Sequence, residues 1–86
     1  MTLDKLRIEI DQIDDEIAPL LARRMALAAQ VAAAKRETGA PVSQPAREQA
    51  VLARLGAGID PQYIPALETV YKAIFRASKE LQEGLF

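Results

Sequence analysis

Apolar side chains recur along the N-terminal part of the chain with the spacing of one helix face. From Leu3 to Ala34 the steps between them alternate between three and four residues, except that Arg24 stands where an apolar residue is due. This spacing is typical of a helix whose apolar side faces a partner along its whole length. The N-terminal stripe consists of Leu3, Leu6, Ile10, Ile13, Ile17, Leu20, Leu27, Val31 and Ala34.

The flanking residues set the ends of this first helix. Thr2 is a suitable N-cap, and Gly39 followed by Pro41 ends the helix. Pro19 should kink the helix, but the stripe keeps its register across it, which indicates a bend rather than a break. Residues 3 to about 37 would span ~50 Å, more than the width of a compact domain of this size. We therefore expect a second chain to cover the stripe.

Two shorter helices follow. Pro45, with Ser43 or Gln44 as its cap, opens a helix that ends near Leu55. Asp60-Pro61 opens a third, whose regular part begins near Ile64. We predict an all-α fold of one long, one short and one medium helix, in a single domain of residues 1–86 that forms a homodimer. The apolar positions of the third helix are Ile64, Leu67, Tyr71, Ile74, Leu81 and Leu85, with the polar Ser78 in their register.

Composition excludes several classes of function. The chain has neither cysteine nor histidine, so catalysis by a Ser–His or Cys–His pair is impossible, and a metal would need an all-oxygen site. Eleven basic residues nearly balance 12 acidic ones, so no net field attracts nucleic acid. The N-terminus lacks a basic signal-peptide region, and we expect no apolar run of membrane-spanning length. These features favour a cytoplasmic protein without a membrane partner.

Polar residues interrupt the apolar faces of all three predicted helices. A buried polar network that sets register and oligomeric state would explain them. Their combination also describes a pocket for a small anionic ligand. The residues are Arg24 and Lys35 on the first helix, Glu48 with neighbouring Arg47 on the second, and Ser78 and Gln82 on the third. We interpret the other basic residues of the three helices as solvated surface charge, namely Lys5, Arg36, Arg54, Lys72, Arg76 and Lys79.

Arg7 lies beside the N-terminal stripe, far from the other cations. It precedes Lys35 by 28 residues, or ~42 Å along a helix axis. One straight helix cannot bring both side chains to one ligand, whereas an antiparallel dimer can. A two-fold axis would then create two equivalent sites, each shared between subunits.

At this point the chain resembles the all-helical class of chorismate mutases (type II) over essentially its whole length. The residues that carry the resemblance are Leu6-Arg7, Ile10-Asp11, Ile13-Asp14, Ile17, Leu20-Leu21, Arg24, Lys35, Pro41-Val42, Pro45-Ala46-Arg47-Glu48, Val51-Leu52, Ile74-Phe75, Ser78 and Gln82. The resemblance implies an intertwined all-α homodimer. Its activity would be that of an isomerase that converts chorismate to prephenate on the route to phenylalanine and tyrosine, without cofactor or metal.

The resemblance also implies roles for the site residues. Arg24 and Arg7 of the partner subunit would bind the two substrate carboxylates, with Ser78 assisting. Lys35 and Gln82 would donate hydrogen bonds to the ether oxygen, where negative charge develops as the ether bond breaks.

Three further residues complete the implied site. Glu48 would accept a hydrogen bond from the ring hydroxyl. Arg47 would orient Glu48 or the pocket wall. Gln44 occupies a position where some family members carry an acidic residue near that hydroxyl.

Three alternatives remain open. An isochorismate pyruvate lyase shares this fold and a similar cationic pocket, although Glu48 favours the mutase. A regulatory mutase-like module would bind another shikimate-pathway enzyme. A structural helical dimer would use the polar residues only for register.

Overall fold

The computed structural model describes residues 1–86 and contains helices without strands. The predicted order of one long, one short and one medium helix is confirmed. A 3₁₀ turn precedes the last helix. The elements are α1 (Leu3–Thr38), α2 (Pro45–Gly56), the 3₁₀ turn (Pro61–Tyr63) and α3 (Ile64–Gln82).

The predicted ends of α1 are confirmed. The Thr2 hydroxyl accepts a hydrogen bond from the Lys5 backbone N–H at 3.2 Å. At the other end Gly39 takes a left-handed conformation with φ 75°, and its N–H donates to the Lys35 carbonyl. Pro19 lies inside the helix without ending it. The helix therefore runs as one element through the proline, as the unbroken stripe predicted.

Side chains at the loops define where α2 and α3 begin. Gln44 is the N-cap of α2, but its side-chain amide donates to the Pro41 carbonyl at 2.9 Å instead of accepting from the helix. Asp60 caps the 3₁₀ turn by accepting from both the side-chain amide and the backbone N–H of Gln62. Both hydrogen bonds lower the pKa of the Asp60 carboxyl, and the one from the Gln62 side chain has the larger effect.

The C-terminus corrects the prediction that Leu85 extends the apolar face of the third helix. The helix ends at Gln82, and Gly84 turns the chain with φ 75°. The Leu85 N–H then donates back to the Glu80 carbonyl at 2.9 Å, which closes the helix end. Leu85 thus lies outside α3 and is 66% exposed.

Contacts within the chain centre on α3. This helix packs against both α1 and α2. Only four of the 86 residues are buried, and α1 contributes two of them through small side chains on one edge of the N-terminal stripe. The four are Ala28, Ala32, Val51 and Phe75.

The N-terminal stripe itself remains uncovered. Its large residues are between 42% and 61% exposed. The chain exposes 6754 Å² in all, whereas a folded monomer of 9.4 kDa exposes about 5000 Å². Its radius of gyration is 15.7 Å, against about 12 Å for a compact domain of this length. One copy of the chain therefore does not bury its own apolar surface.

The expectation that no apolar run reaches membrane-spanning length is wrong for α1. By length and composition α1 could cross a membrane, since an 18-residue window has a mean hydropathy of 1.2. The charge-poor stretch between Glu16 and Lys35 still contains Arg23 and Arg24 near its middle. Each arginine costs about 2.5–3.5 kcal/mol at the centre of a bilayer. A single such helix is weak evidence for a membrane span, because core helices of soluble proteins can have the same length and hydropathy.

The left-handed cap at Gly39 predicts a backbone-specific loss of stability. Gly39→Ala should lower the free energy of unfolding by about 1–2 kcal/mol, because an L-residue is strained at this φ although the added Cβ meets no atom within 4 Å. Denaturant unfolding at one fixed protein concentration measures it. Gly58→Ala is the control, since its φ is not positive and its Cβ would meet the Leu55 carbonyl at an ordinary 4.0 Å. Equal losses in both variants would contradict this explanation.

Candidate active site

Each of the three helices contributes one stripe of side chains to a common cavity of about 300 Å³. Within each stripe the residues follow helical spacing, with members at i, i+3, i+4 and i+7, so they lie on one helix face. Val42, in the connection between α1 and α2, is the one lining residue outside these stripes. The stripes are Arg24, Leu27, Ala28, Val31 and Lys35 from α1, Gln44, Arg47, Glu48 and Val51 from the start of α2, and Phe75, Ser78, Lys79 and Gln82 from α3.

Lys35 is held in the cavity by two acceptors. Its Nζ donates to the Val42 carbonyl at 2.8 Å and to Gln82 Oε1 at 3.0 Å. An ammonium group has three N–H donors, so one remains for a ligand. The side chain is half-buried and has no carboxylate partner within 4 Å. The loop after α1 therefore helps to fix the position of this cation.

Gln82 connects Lys35 to Ser78. Because Gln82 Oε1 accepts from Lys35, its Nε2 is the donor, and it reaches Ser78 Oγ at 3.4 Å. This second contact is long for a hydrogen bond, so the amide donor is held only loosely. Both Nε2 and Oγ thus have hydrogen-bonding capacity left for a ligand.

Arg24 rests against an aromatic ring instead of an acid. Its guanidinium carbon lies 5.7 Å from the centre of the Phe75 ring, within the range of a cation–π contact. Phe75 is buried and is itself held by an edge-on contact with Tyr71, with ring centres 5.8 Å apart. No carboxylate lies within 4 Å of the guanidinium. Its hydrogen-bond donors are therefore not used by an ion pair in this chain.

Lys79 corrects the prediction that it is solvated surface charge. It lines the cavity, and its Nζ lies 3.2 Å from Glu48 Oε2. The spacing in the sequence indicates this position, because Lys79 follows Phe75 by four residues and precedes Gln82 by three, which puts all three on one helix face. Val42, whose carbonyl binds Lys35, and Phe75 beneath Arg24 also belong to the cavity, although the sequence analysis gave neither of them a role.

Seven of the eight predicted site residues line this cavity, and the exception is Arg7. Gln44 and Arg47 lie in the α2 stripe beside Glu48. Arg7 is exposed near the start of α1, ~42 Å along the helix from Lys35. A single chain therefore does not bring Arg7 to the cavity.

The charge of the cavity suits an anionic ligand. Its lining includes four cations and one carboxylate, an excess of three positive charges in a chain whose net charge is −1. The four cations are Arg24, Lys35, Arg47 and Lys79. No group of three or more carboxylates lies close enough together to hold a metal ion.

Comparison with known protein families shows which family this chain is similar to. The model of the family described as chorismate mutase type II matches residues 6–83. The chain belongs to this family. The match includes α2, α3, all of α1 except its first three residues, and every residue that lines the cavity.

Curated relatives are similar over parts of their length. A chorismate mutase of Methanocaldococcus jannaschii is 40% identical over 53 residues, which are 62% of this chain and 54% of the relative. A bifunctional chorismate mutase/prephenate dehydratase of Aquifex aeolicus is 33% identical over 90 residues, 96% of this chain and 24% of the relative. A T-protein of Haemophilus influenzae is 44% identical over 50 residues, 58% of this chain and 13% of the relative. The matched region thus spans about half or less of each relative.

The position of Phe75 predicts that this ring stabilises the fold beneath the site. Phe75→Ala should cost about 3–5 kcal/mol of unfolding free energy, because it leaves a hole at the junction of α1 and α3. Phe86→Ala is the matched control, since that ring is 81% exposed. Thermal or denaturant unfolding at one protein concentration compares them. A loss below about 1 kcal/mol for Phe75→Ala would show that the ring is not a packing centre.

Proposed function

We propose that the protein is a chorismate mutase, an isomerase that rearranges chorismate to prephenate. The observation that carries this proposal is the pair of cations Arg24 and Lys35, which line one cavity without a carboxylate partner. A purely structural polar network would be expected to neutralise such charges internally. A dicarboxylate substrate would neutralise them instead, and family membership favours the same substrate.

The rearrangement breaks an ether bond as a carbon–carbon bond forms within one molecule. It needs no nucleophile, which suits a chain without cysteine or histidine. Negative charge develops on the ether oxygen in the transition state, so donors fixed at that oxygen accelerate the reaction. In this proposal the donors are the free N–H of Lys35 and the Nε2 of Gln82. The hydrogen bond from Lys35 Nζ to Gln82 Oε1, at 3.0 Å, keeps the two side chains next to each other before substrate arrives.

The remaining residues select the reactive conformer of the substrate. Arg24, assisted by Ser78, binds one carboxylate, and Arg7 of the partner subunit binds the other. Glu48 accepts from the ring hydroxyl, while Arg47 and Gln44 shape the wall beside it. Holding both ends of a flexible molecule converts a rare conformer into the bound one, which lowers the entropic part of the barrier.

The active form in this proposal is an intertwined homodimer. The uncovered N-terminal stripe and the excess of about 1700 Å² of surface per chain support it, since partners in an obligate dimer each bury about 1000–2500 Å². The acidic first half of α1 and its basic second half favour antiparallel packing. Such packing would bring Arg7 of the partner subunit toward the cavity that lacks it.

The chain acts as a single mutase domain of residues 1–86 in this proposal. One relative is named for both mutase and prephenate dehydratase activities. This supports another shikimate-pathway enzyme as a partner, either fused to this domain or bound to it in a complex. We further propose that the domain is cytoplasmic and that it is soluble, because in the proposed dimer a second copy would cover the apolar stripe of α1 instead of lipid.

Turnover of chorismate tests the proposed activity. Purified protein should consume chorismate, followed by absorbance, and proton NMR should identify prephenate, since the two isomers share one mass. Lys35→Ala should lower kcat/KM by about 10²–10³, the usual effect of losing one transition-state donor. Lys72→Ala, which removes an exposed lysine outside the cavity, should keep parent activity. Release of pyruvate from isochorismate, without chorismate turnover, would identify the lyase instead.

Mixing two inactive variants tests the shared site. Arg7→Ala and Lys35→Ala, refolded together in equal amounts, should recover about one quarter of parent activity, because half of the dimers are mixed and each holds one intact site. Arg24→Ala mixed with Lys35→Ala is the control, since both residues come from one chain and no intact site forms. Native mass spectrometry, which separates the mixed dimer from the two parent dimers by mass, confirms subunit exchange, and sedimentation gives the mass of the assembly. A monomeric mass, or no recovery in exchanged dimers, would contradict the shared site.

A further inference from the structure

We propose that Lys79 is a positioning residue that neutralises and orients Glu48, so that Glu48 can accept a hydrogen bond from the substrate hydroxyl without repelling an anionic substrate. This inference rests on the proposed function. It adds a cavity lysine that the sequence analysis had placed on the surface.

The ion pair is built between two helices. Lys79 Nζ on α3 lies 3.2 Å from Glu48 Oε2 on α2, and the two side chains are 34% and 27% exposed. A second ion pair of the chain offers a contrast: Arg76 and Glu80 lie one turn apart on α3 at 3.7 Å, with Arg76 81% exposed. Exposed pairs of that kind contribute little. The Lys79–Glu48 pair faces the cavity and is the better shielded of the two.

Glu48 presents an electrostatic problem that Lys79 solves. It is the one carboxylate among the residues that line the cavity. Left unpaired, its charge would oppose entry of a dicarboxylate, and the repulsion would be stronger in a partly shielded cavity than in bulk water. The ammonium of Lys79 cancels that charge at contact distance. The cavity then keeps the attraction of its other cations for the ligand.

The geometry of the pair also leaves room for recognition. Lys79 contacts Oε2, so Oε1 keeps its capacity to accept a hydrogen bond. A carboxylate whose charge is already compensated suits a neutral donor such as a hydroxyl. The pair therefore favours substrates that present a hydroxyl at this position over those that present a further anionic group.

Steady-state kinetics test this role in the full-length protein. Lys79→Met should raise KM for chorismate about tenfold, with a much smaller change in kcat, because substrate binding suffers more than the chemical step. Lys79→Arg should restore most of the loss, since it keeps the charge. Lys79→Gln provides a second neutral variant if the methionine variant folds poorly. Lys72→Met, on the exposed face of the same helix, should leave both constants unchanged.

A double-mutant cycle shows whether Lys79 acts through Glu48. The probe is prephenate, and calorimetry measures its Kd. Lys79→Met should weaken binding about tenfold when Glu48 is present and by less than about twofold in the Glu48→Gln background. Equal weakening in both backgrounds would overturn the proposed role, and so would a variant that loses thermal stability but keeps its KM. A parent protein that fails to turn over chorismate would overturn the proposed function and this inference together, whereas an active parent with an unaffected Lys79→Met variant would overturn this inference alone.

Discussion

Two cations on the inward side of α1 have no carboxylate partner, and the candidate site depends on the contacts that hold them in place. Arg24 is supported by the ring of Phe75, and Lys35 by the Val42 carbonyl and the Gln82 amide. Aromatic faces and neutral acceptors hold a cation in place without cancelling its charge. The scaffold therefore keeps two positive groups oriented and available for an anion. Such preorganisation is what electrostatic catalysis requires, because the groups need not reorganise as charge develops.

Two adjacent faces of α1 differ in what they contact. One edge, marked by Ala28 and Ala32, packs against the chain's own helices, while the large residues of the N-terminal stripe stay exposed. The chain by itself therefore leaves the large apolar residues of this stripe in contact with solvent. In the proposed dimer, folding and site assembly become a single process, because the partner that covers the stripe also supplies Arg7.

The sequence predicted the helices well because their ends are set locally. Thr2, Gly39 and Asp60 each act on backbone groups within a few residues, so neighbouring residues suffice to place them. Leu85 was placed wrongly because its apolar character fits the helical register, whereas Gly84 turns the backbone first. Lys79 was misplaced for a different reason. Its spacing from Phe75 and Gln82 places it on the cavity face, but a lysine there resembles a surface charge until its partner Glu48, on another helix, is known.

The resemblance to the family added Gln44 to the site, whereas the sequence by itself determined the all-α class, the three helices, the apolar stripe of α1 and six of the residues that line the cavity. These properties depend on periodicity and capping, which act over one or two helical turns. Only the tertiary structure decided that three stripes meet at one cavity, that the Val42 carbonyl holds Lys35, and that Lys79 pairs with Glu48. Those contacts join residues on different helices or across a loop, and their geometry follows from helix packing, which no single segment encodes.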